Sequence, residues 1–224
     1  SEIVAGAIQD YKRGIVIGQR TFGKGTVQSL ESISKGQIKI TESKYYRVDG
    51  SSTQNKGVIP DIELLSTWDI ESVGESSYPT AMEWDTVRPY RHKKFKFDDN
   101  QIEEINNLYS QRLNEDPNLK YLAKVRERYD QNKDKKLLSL NINTRKLEKE
   151  ARRTWLLEIE NNRRKVLELT TFESYEELEE HNKNENKEND EKIDLNKDFL
   201  LIESTKIVND YINMNKKILL SEKD

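Results

Sequence analysis

The sequence of 224 residues contains no cysteine at all. That removes disulfides, thiolate nucleophiles and cysteine-ligated zinc together. Histidine is nearly as scarce: His92 and His181 are the only two and stand far apart, so neither a Ser-His-Asp triad nor a helical zinc motif has its residues close in sequence. Both read as solvated surface residues. Apolar residues make up only 33% of the chain, so a dense core is expected over part of it. No run approaches the roughly 18 to 20 apolar residues that cross a bilayer, so no transmembrane segment is predicted. One sign of charge is also lacking in excess, because 38 basic residues face 41 acidic ones for a net charge of −3. No long-range field therefore marks a binder of nucleic acid or of a membrane surface. No cofactor and no metal is expected. The chain starts at Ser1 without a methionine or a signal peptide and enters helical periodicity at once, as a piece of a longer polypeptide would.

What is present divides into two characters. Ile3, Val4, Ala7, Ile8 and Tyr11 fall on one stripe, which predicts an amphipathic helix over 2–11. Ile15-Val16-Ile17, between Gly14 and Gly18, has the composition of a strand buried on both faces. Extended runs are predicted at Thr26–Leu30, Gln37–Thr41, Lys44–Val48 and, after the Asp49-Gly50 turn, Gly57–Ile62. Residues 1–65 thus read as an α/β unit, and 66–99, with Pro79 and Pro89, as a linker. Residues 100–224 read as an all-helical domain. Its apolar stripes are Ile102 to Leu113, Leu119 to Tyr129, Leu147-Ala151-Trp155-Ile159, and Phe199-Ile202-Ile207-Tyr211-Leu219. The interval 176–197, almost all Glu, Asn, Lys and Asp, reads as a disordered insert.

The residue with most chemical promise is Lys24, held between Gly23 and Gly25. Glycine neighbours add no bulk and permit unusual backbone angles, so another chain segment can come close to that amine. A phosphate loop is excluded: Gly18, Gly23 and Lys24 meet its spacing, but Gly25 occupies the place of the required Ser or Thr. Gln28, four residues on, has a spacing that permits contact with Lys24, and it also suits a strand-facing residue with no chemistry.

Several segments occur together and in order: Ser1-Glu2-Ile3-Val4, Gln9-Asp10-Tyr11, Thr21-Phe22-Gly23-Lys24-Gly25-Thr26-Val27-Gln28, Tyr45-Tyr46-Arg47-Val48-Asp49-Gly50, Ser52-Thr53-Gln54 and Lys56-Gly57-Val58-Ile59-Pro60-Asp61-Ile62. This series resembles the carboxyl-terminal processing peptidases, and within them the tail-specific proteases. Trp84-Asp85 and Leu138-Ser139-Leu140-Asn141 resemble the helical C-terminal extension of the latter.

The resemblance implies a serine endopeptidase that works through a Ser/Lys dyad and an acyl-enzyme. It implies an α+β or α/β fold, part of a ClpP/crotonase-like protease core followed by the helical domain. On the matching positions Lys24 is the general base, Asp10 the aspartate counted with the active site, and Gln28 the glutamine that orients the lysine. The nucleophilic serine is implied to lie just ahead of Ser1, as is a peptide-binding PDZ domain further upstream, so the chain by itself is expected to be inactive. Implied partners are protein or peptide substrates with nonpolar C-termini and an adaptor protein, and the implied location is the periplasm, peripheral to the inner membrane. The alternative is a non-catalytic helical module that binds a partner.

Physical chemistry adds two expectations. A lysine that accepts a proton near neutral pH needs its pKa lowered by roughly three units, about 4 kcal/mol of disfavoured charge, which burial would supply. Phe22 and Val27 are the expected apolar walls. A carboxylate beside Lys24 would oppose this, so Asp10 is expected to hold the helix end and not the amine.

Overall fold

A computed structural model describes residues 1–66, 69–95, 99–191, 195 and 198–221, with the backbone alone for residue 99 and residues 186–191 and 216–221. It divides into two compact units, Ser1–Asn106 and Asn107–Asp224.

The first unit opens with α1 (Glu2–Asp10), followed by β1 (Ile17–Gly18), the hairpin β2 (Thr26–Ile33) and β3 (Gly36–Lys44), and β4 (Ile62–Glu63). The helix lies where the periodicity puts it but turns the other way. Gly6 and Asp10 are buried, whereas Ile3 and Val4 of the apolar stripe are 57% and 65% exposed. The polar face docks because each of its groups finds a partner. Gln9 donates to the Ile59 carbonyl and to Asp61, and the missing side chain at Gly6 makes room for Arg47, whose Nε would lie 3.3 Å from a Cβ there.

Strand β1 pairs in parallel with β4, Ile17 opposite Ile62, and Val16 N–H donates to Asp61 Oδ2 at 2.7 Å. Ile15, Val16 and Ile17 are only half-buried, so the strand is not covered on both faces as its composition suggests. The hairpin is antiparallel and closes at Ser34-Lys35, with Gly36 at a φ of +119°. Its register places Gln28 opposite Thr41, Ser29 opposite Ile40 and Glu31 opposite Ile38. Thr26, Gln28 and Thr41 therefore share one face, while Val27, Ile33, Ile38 and Ile40 fall on the other and remain exposed. The predicted run Lys44–Val48 forms no strand of its own; only Tyr46 bridges, to Ser52.

The core of this unit is Val58, Ile62, Leu64 and Ile105, beside the buried polar trio Ser52, Thr53 and Gln54. The stretch read as a linker folds onto residues 1–65. It carries α2 (Ile70–Val73) and a short 3-10 turn at Glu75–Ser77. Glu75 N–H donates to the Phe22 carbonyl, Val87 N–H to that of Gly50, Tyr90 N–H to that of Val48 and Phe95 N–H to that of Tyr11. Trp84 Nε1 donates to the Ser52 carbonyl at 2.9 Å while Lys56 Nζ sits 3.2 Å over its ring centroid. Backbone pairing makes this stretch structural, which its Ser and Pro content does not announce.

Helix α3 (Asp99–Glu115) leads into the second unit, made with α4 (Pro117–Lys133), α5 (Ile142–Val166), α6 (Tyr175–Glu191) and α7 (Phe199–Ser221). Asp116 caps α4 by accepting from Asn118 and Leu119 N–H, with Pro117 as the first helical residue, and Asn141 caps α5 in the same way. The core of the unit is Tyr109, Leu119, Ile159, Phe172, Leu178 and Ile207. Two buried carboxylates sit within it, each matched by guanidinium: Glu160 by Arg163 and Arg164, and Glu203 by Arg112.

The insert expected to be disordered is helical through Glu191, and the remainder of it, apart from Leu195, lies outside the described residues. The cause is local. Ser174 Oγ accepts from Glu177 N–H while Glu177 Oε2 accepts from Glu173 N–H, a reciprocal cap at the start of α6, and Leu178 is buried one residue later. His181 is not a free surface residue either. Its ring lies edge-on to Phe172 at 5.1 Å, with Arg164 Nη2 3.3 Å from its Nε2.

Candidate active site

Lys24 stands in a loop pressed against residues 53–57 of the same chain. A Cβ on Gly25 would meet Gln54 N at 2.6 Å, and one on Gly23, whose φ is +89°, would meet Asn55 C and Gly57 N at 3.1 Å. The glycines thus do admit a second backbone, and that backbone is the Thr53–Gly57 segment. Asn55 N–H donates to the Gly23 carbonyl at 2.8 Å, Gly25 N–H to Gln54 Oε1 at 2.9 Å and Arg20 Nη2 to the Asn55 carbonyl at 2.8 Å. Gln54, wholly buried, is the post on which the turn rests.

The other side of the turn is held by Glu2. Its carboxylate accepts from Thr21 Oγ1, from Gly23 N–H at 2.6 Å and from Lys24 N–H at 3.1 Å. Thr21 Oγ1 in turn accepts from Val58 N–H at 2.8 Å. The first turn of α1 is thereby fastened to the lysine loop, and the beginning of the chain lies beside Lys24.

The lysine side chain runs along the hairpin. Its Nζ donates to Thr26 Oγ1 and to Gln28 Oε1, both at 3.0 Å, and Gln28 Nε2 donates onward to Thr41 Oγ1 at 3.1 Å. Lys24 and Gln28 therefore meet, as their spacing permits. Lys24 is nonetheless exposed, and the walls expected of Phe22 and Val27 stay open, at 40% and 49% exposure. Phe22 instead pairs with Tyr78, ring centroids 6.4 Å apart.

Asp10 makes no hydrogen bond to Lys24 among the described contacts. Its carboxylate takes Arg47 Nε at 3.1 Å on both oxygens and Nη2 at 2.5 Å, with side chains 5% and 14% exposed. Burial works against the charge on Arg47, but the hydrogen bonds and charge of Asp10 outweigh it and raise its pKa above the ordinary arginine value. The backbone carbonyl of Asp10 faces His92 Nε2 at 3.0 Å, so His92 is a tether of α1 and not a free surface residue. Sequence reasoning passed over Glu2, Thr26, Thr41 and Arg47. A carboxylate in a first helical turn was the one signal for Glu2, and it is read equally well as a helix start.

Family comparison gives two adjoining matches. Residues 1–64 match peptidase family S41, and residues 68–213 match the family described as the C-terminal domain of tail specific protease (DUF3340). The chain belongs to the tail-specific protease family. Its similarity to the tail-specific protease of Haemophilus influenzae is 38% identity over 160 residues, covering 66% of this chain and 23% of that relative. It is 46% identical over 63 residues to a carboxy-terminal-processing protease of Bartonella bacilliformis, covering 28% of the chain and 14% of the relative. A carboxyl-terminal-processing protease of Synechocystis is 39% identical over 88 residues, with 37% and 21% covered. The chain spans less than a quarter of the length of these relatives. Lys24, Asp10 and Gln28 all fall in the segment that matches the peptidase family.

Proposed function

We propose that this chain contributes the general base of a Ser/Lys endopeptidase in which Lys24 activates a serine supplied from outside these 224 residues. The observation that carries the proposal is the seating of Nζ between Thr26 Oγ1 and Gln28 Oε1, both neutral oxygens. A neutral amine has two hydrogens and one lone pair. Two acceptors take the hydrogens and aim the lone pair at a third group, which is the arrangement a proton acceptor needs. Gln28 fixes the amine, and Asp10 fixes the end of α1 through Arg47. The first residues of the chain are held against the Lys24 turn by Glu2, so a serine close ahead of Ser1 would arrive beside the amine. The apolar face of the hairpin and the stripe of α1 are the surfaces against which the rest of the protease core, of ClpP/crotonase type, packs in this proposal, and closing them supplies the burial that Lys24 lacks here. Alone, the chain is inactive.

The substrates are proteins with nonpolar C-terminal tails, and the setting is the periplasm at the periphery of the inner membrane. The helical unit holds its own core, which favours a role in gripping a substrate or an adaptor protein. The test joins the chain to its serine-bearing segment and measures cleavage of two peptides that differ only in a nonpolar or a charged C-terminus. Preference for the nonpolar tail, with turnover abolished by Lys24→Ala and peptide binding retained, is expected. Undiminished turnover in Lys24→Ala refutes the role of the amine.

A further inference from the structure

The junction between α4 and α5 carries leucines that are largely exposed among the described residues. Leu137 is 85% exposed, Leu138 63% and Leu140 99%, and on the first turns of α5 Ile142 and Leu147 are 65% and 72% exposed. Exposed leucines on soluble surfaces are ordinarily scattered singly, so a cluster within one stretch marks a binding surface. Residues 135–141 have no regular secondary structure, and half of the apolar stripe predicted for α5 is uncovered because Leu147 and Ala151 stand out with them.

The charge of this tip is mostly basic. Between residues 133 and 149, Lys133, Lys135, Lys136, Arg145, Lys146 and Lys149 stand against Asp134 and Glu148 in a chain whose net charge is −3, and Lys133 pairs with Asp130 just outside that stretch. Lys135 and Arg145 share Glu148, while Lys136, Lys146 and Lys149 have no acidic partner among the described residues. The near-cancellation over the whole chain conceals this local excess.

We propose that the α4–α5 tip docks on an anionic phospholipid surface, with Leu137, Leu138 and Leu140 entering the headgroup boundary and the unpaired lysines lying among the phosphates. Leucine beside lysine is the combination that such an interface rewards, the first by burial and the second by attraction to anionic headgroups. A fluid surface also suits the geometry. Lipid closes around each side chain separately, so an irregular loop can enter it without a face of matching shape. This deepens the peripheral membrane location proposed above, and because vesicle binding requires no peptide hydrolysis, its failure is distinct from failure of the protease assignment.

The test is cosedimentation of the chain with vesicles of phosphatidylcholine alone or mixed with phosphatidylglycerol. Binding to the anionic vesicles is expected to exceed that to neutral ones by about tenfold and to weaken as salt rises. Leu137→Ser with Leu140→Ser, and separately Lys136→Glu with Lys146→Glu, bring binding down to the neutral-vesicle level while leaving thermal melting unchanged, since these side chains are exposed. As the chain has no cysteine, Leu140→Cys carries a single environment-sensitive fluorophore. Its emission shifts to the blue on anionic vesicles if the tip enters the boundary. Equal binding by wild type to both vesicle types, full binding by the variants, or a label that responds to a protein and not to lipid each overturns the proposal.

Discussion

Glu2→Ala strips three donors of one acceptor at once, and the structure sets the size of the loss. The Gly23 N–H, 2.6 Å from Glu2 Oε1, belongs to a buried residue packed on Asn55 and Gly57, so water does not readily replace the carboxylate. A buried donor left unpaired costs about 1–3 kcal/mol, and a charge-assisted bond contributes about 1.5–3 kcal/mol. Lys24 N–H, at 3.1 Å and more exposed, recovers part of its loss from solvent, and Thr21 keeps its bond from Val58 N–H. The sum is about 2–4 kcal/mol of local stability, and Glu2→Gln, which retains one oxygen, loses about half of that. Hydrogen exchange of the Gly23 amide reads this directly, because its protection reports the free energy of opening the turn. In the enzyme joined to its serine segment, the same substitution lowers kcat more than it raises KM, since an amine displaced by an ångström costs on the order of a hundredfold in rate. A change below about 0.5 kcal/mol in Gly23 protection for Glu2→Ala would refute the claim that this carboxylate holds the loop.

Asp10→Ala leaves Arg47 buried without its counterion and is expected to destabilise the first unit by about 3–5 kcal/mol; a double-mutant cycle with Arg47→Met in urea unfolding checks that the loss belongs to the pair. Gly25→Ala drives a methyl group into Gln54 N at 2.6 Å, so the loop must move, at about 1–3 kcal/mol and with loss of cleavage; near-wild-type activity would contradict the packing described. Both ring nitrogens of His92 face carbonyl oxygens, of Tyr90 at 2.9 Å and Asp10 at 3.0 Å, an arrangement that favours the protonated ring, in which both nitrogens donate. These bonds, that to Tyr90 first, raise its pKa above the ordinary 6.5. A raised histidine stabilises fully below pH 6.5 and loses that contribution as pH climbs through the folded value, and an NMR titration midpoint at or below 6.5 would be contrary.

The helices were legible where periodicity met a cap: α4 begins after Asp116-Pro117 and α5 after Asn141, signals that stand in the sequence. The start of α6 had such a signal too, Ser174 followed three residues later by Glu177, but the polar run behind it argued for disorder because composition measures burial and not capping. The facing of α1 was not legible. Periodicity shows that a stripe exists and says nothing of which side docks, and here Gly6, Gln9 and Asp10 dock because Arg47 and Asp61 meet them from distant segments. At the site, the pairing of Lys24 with Gln28 was visible as a spacing, whereas Thr41 entered through strand register and Glu2 through the fold of the loop. The exposure of Lys24, Phe22 and Val27 runs against the burial that a lysine base requires, and in the proposed function the rest of the core removes that exposure.

The amine at position 24 is tested most directly by changing its basicity without changing its reach. Lys24→Cys, in the enzyme joined to its serine segment, is alkylated with bromoethylamine to give a side chain of nearly the same length that ends in a less basic amine. The account predicts no cleavage before alkylation, recovery after it, and an acid limb of the kcat/KM profile displaced to lower pH relative to wild type. Cleavage by the unmodified variant, or recovered cleavage whose acid limb coincides with that of wild type, would contradict the assignment of Lys24 as the base.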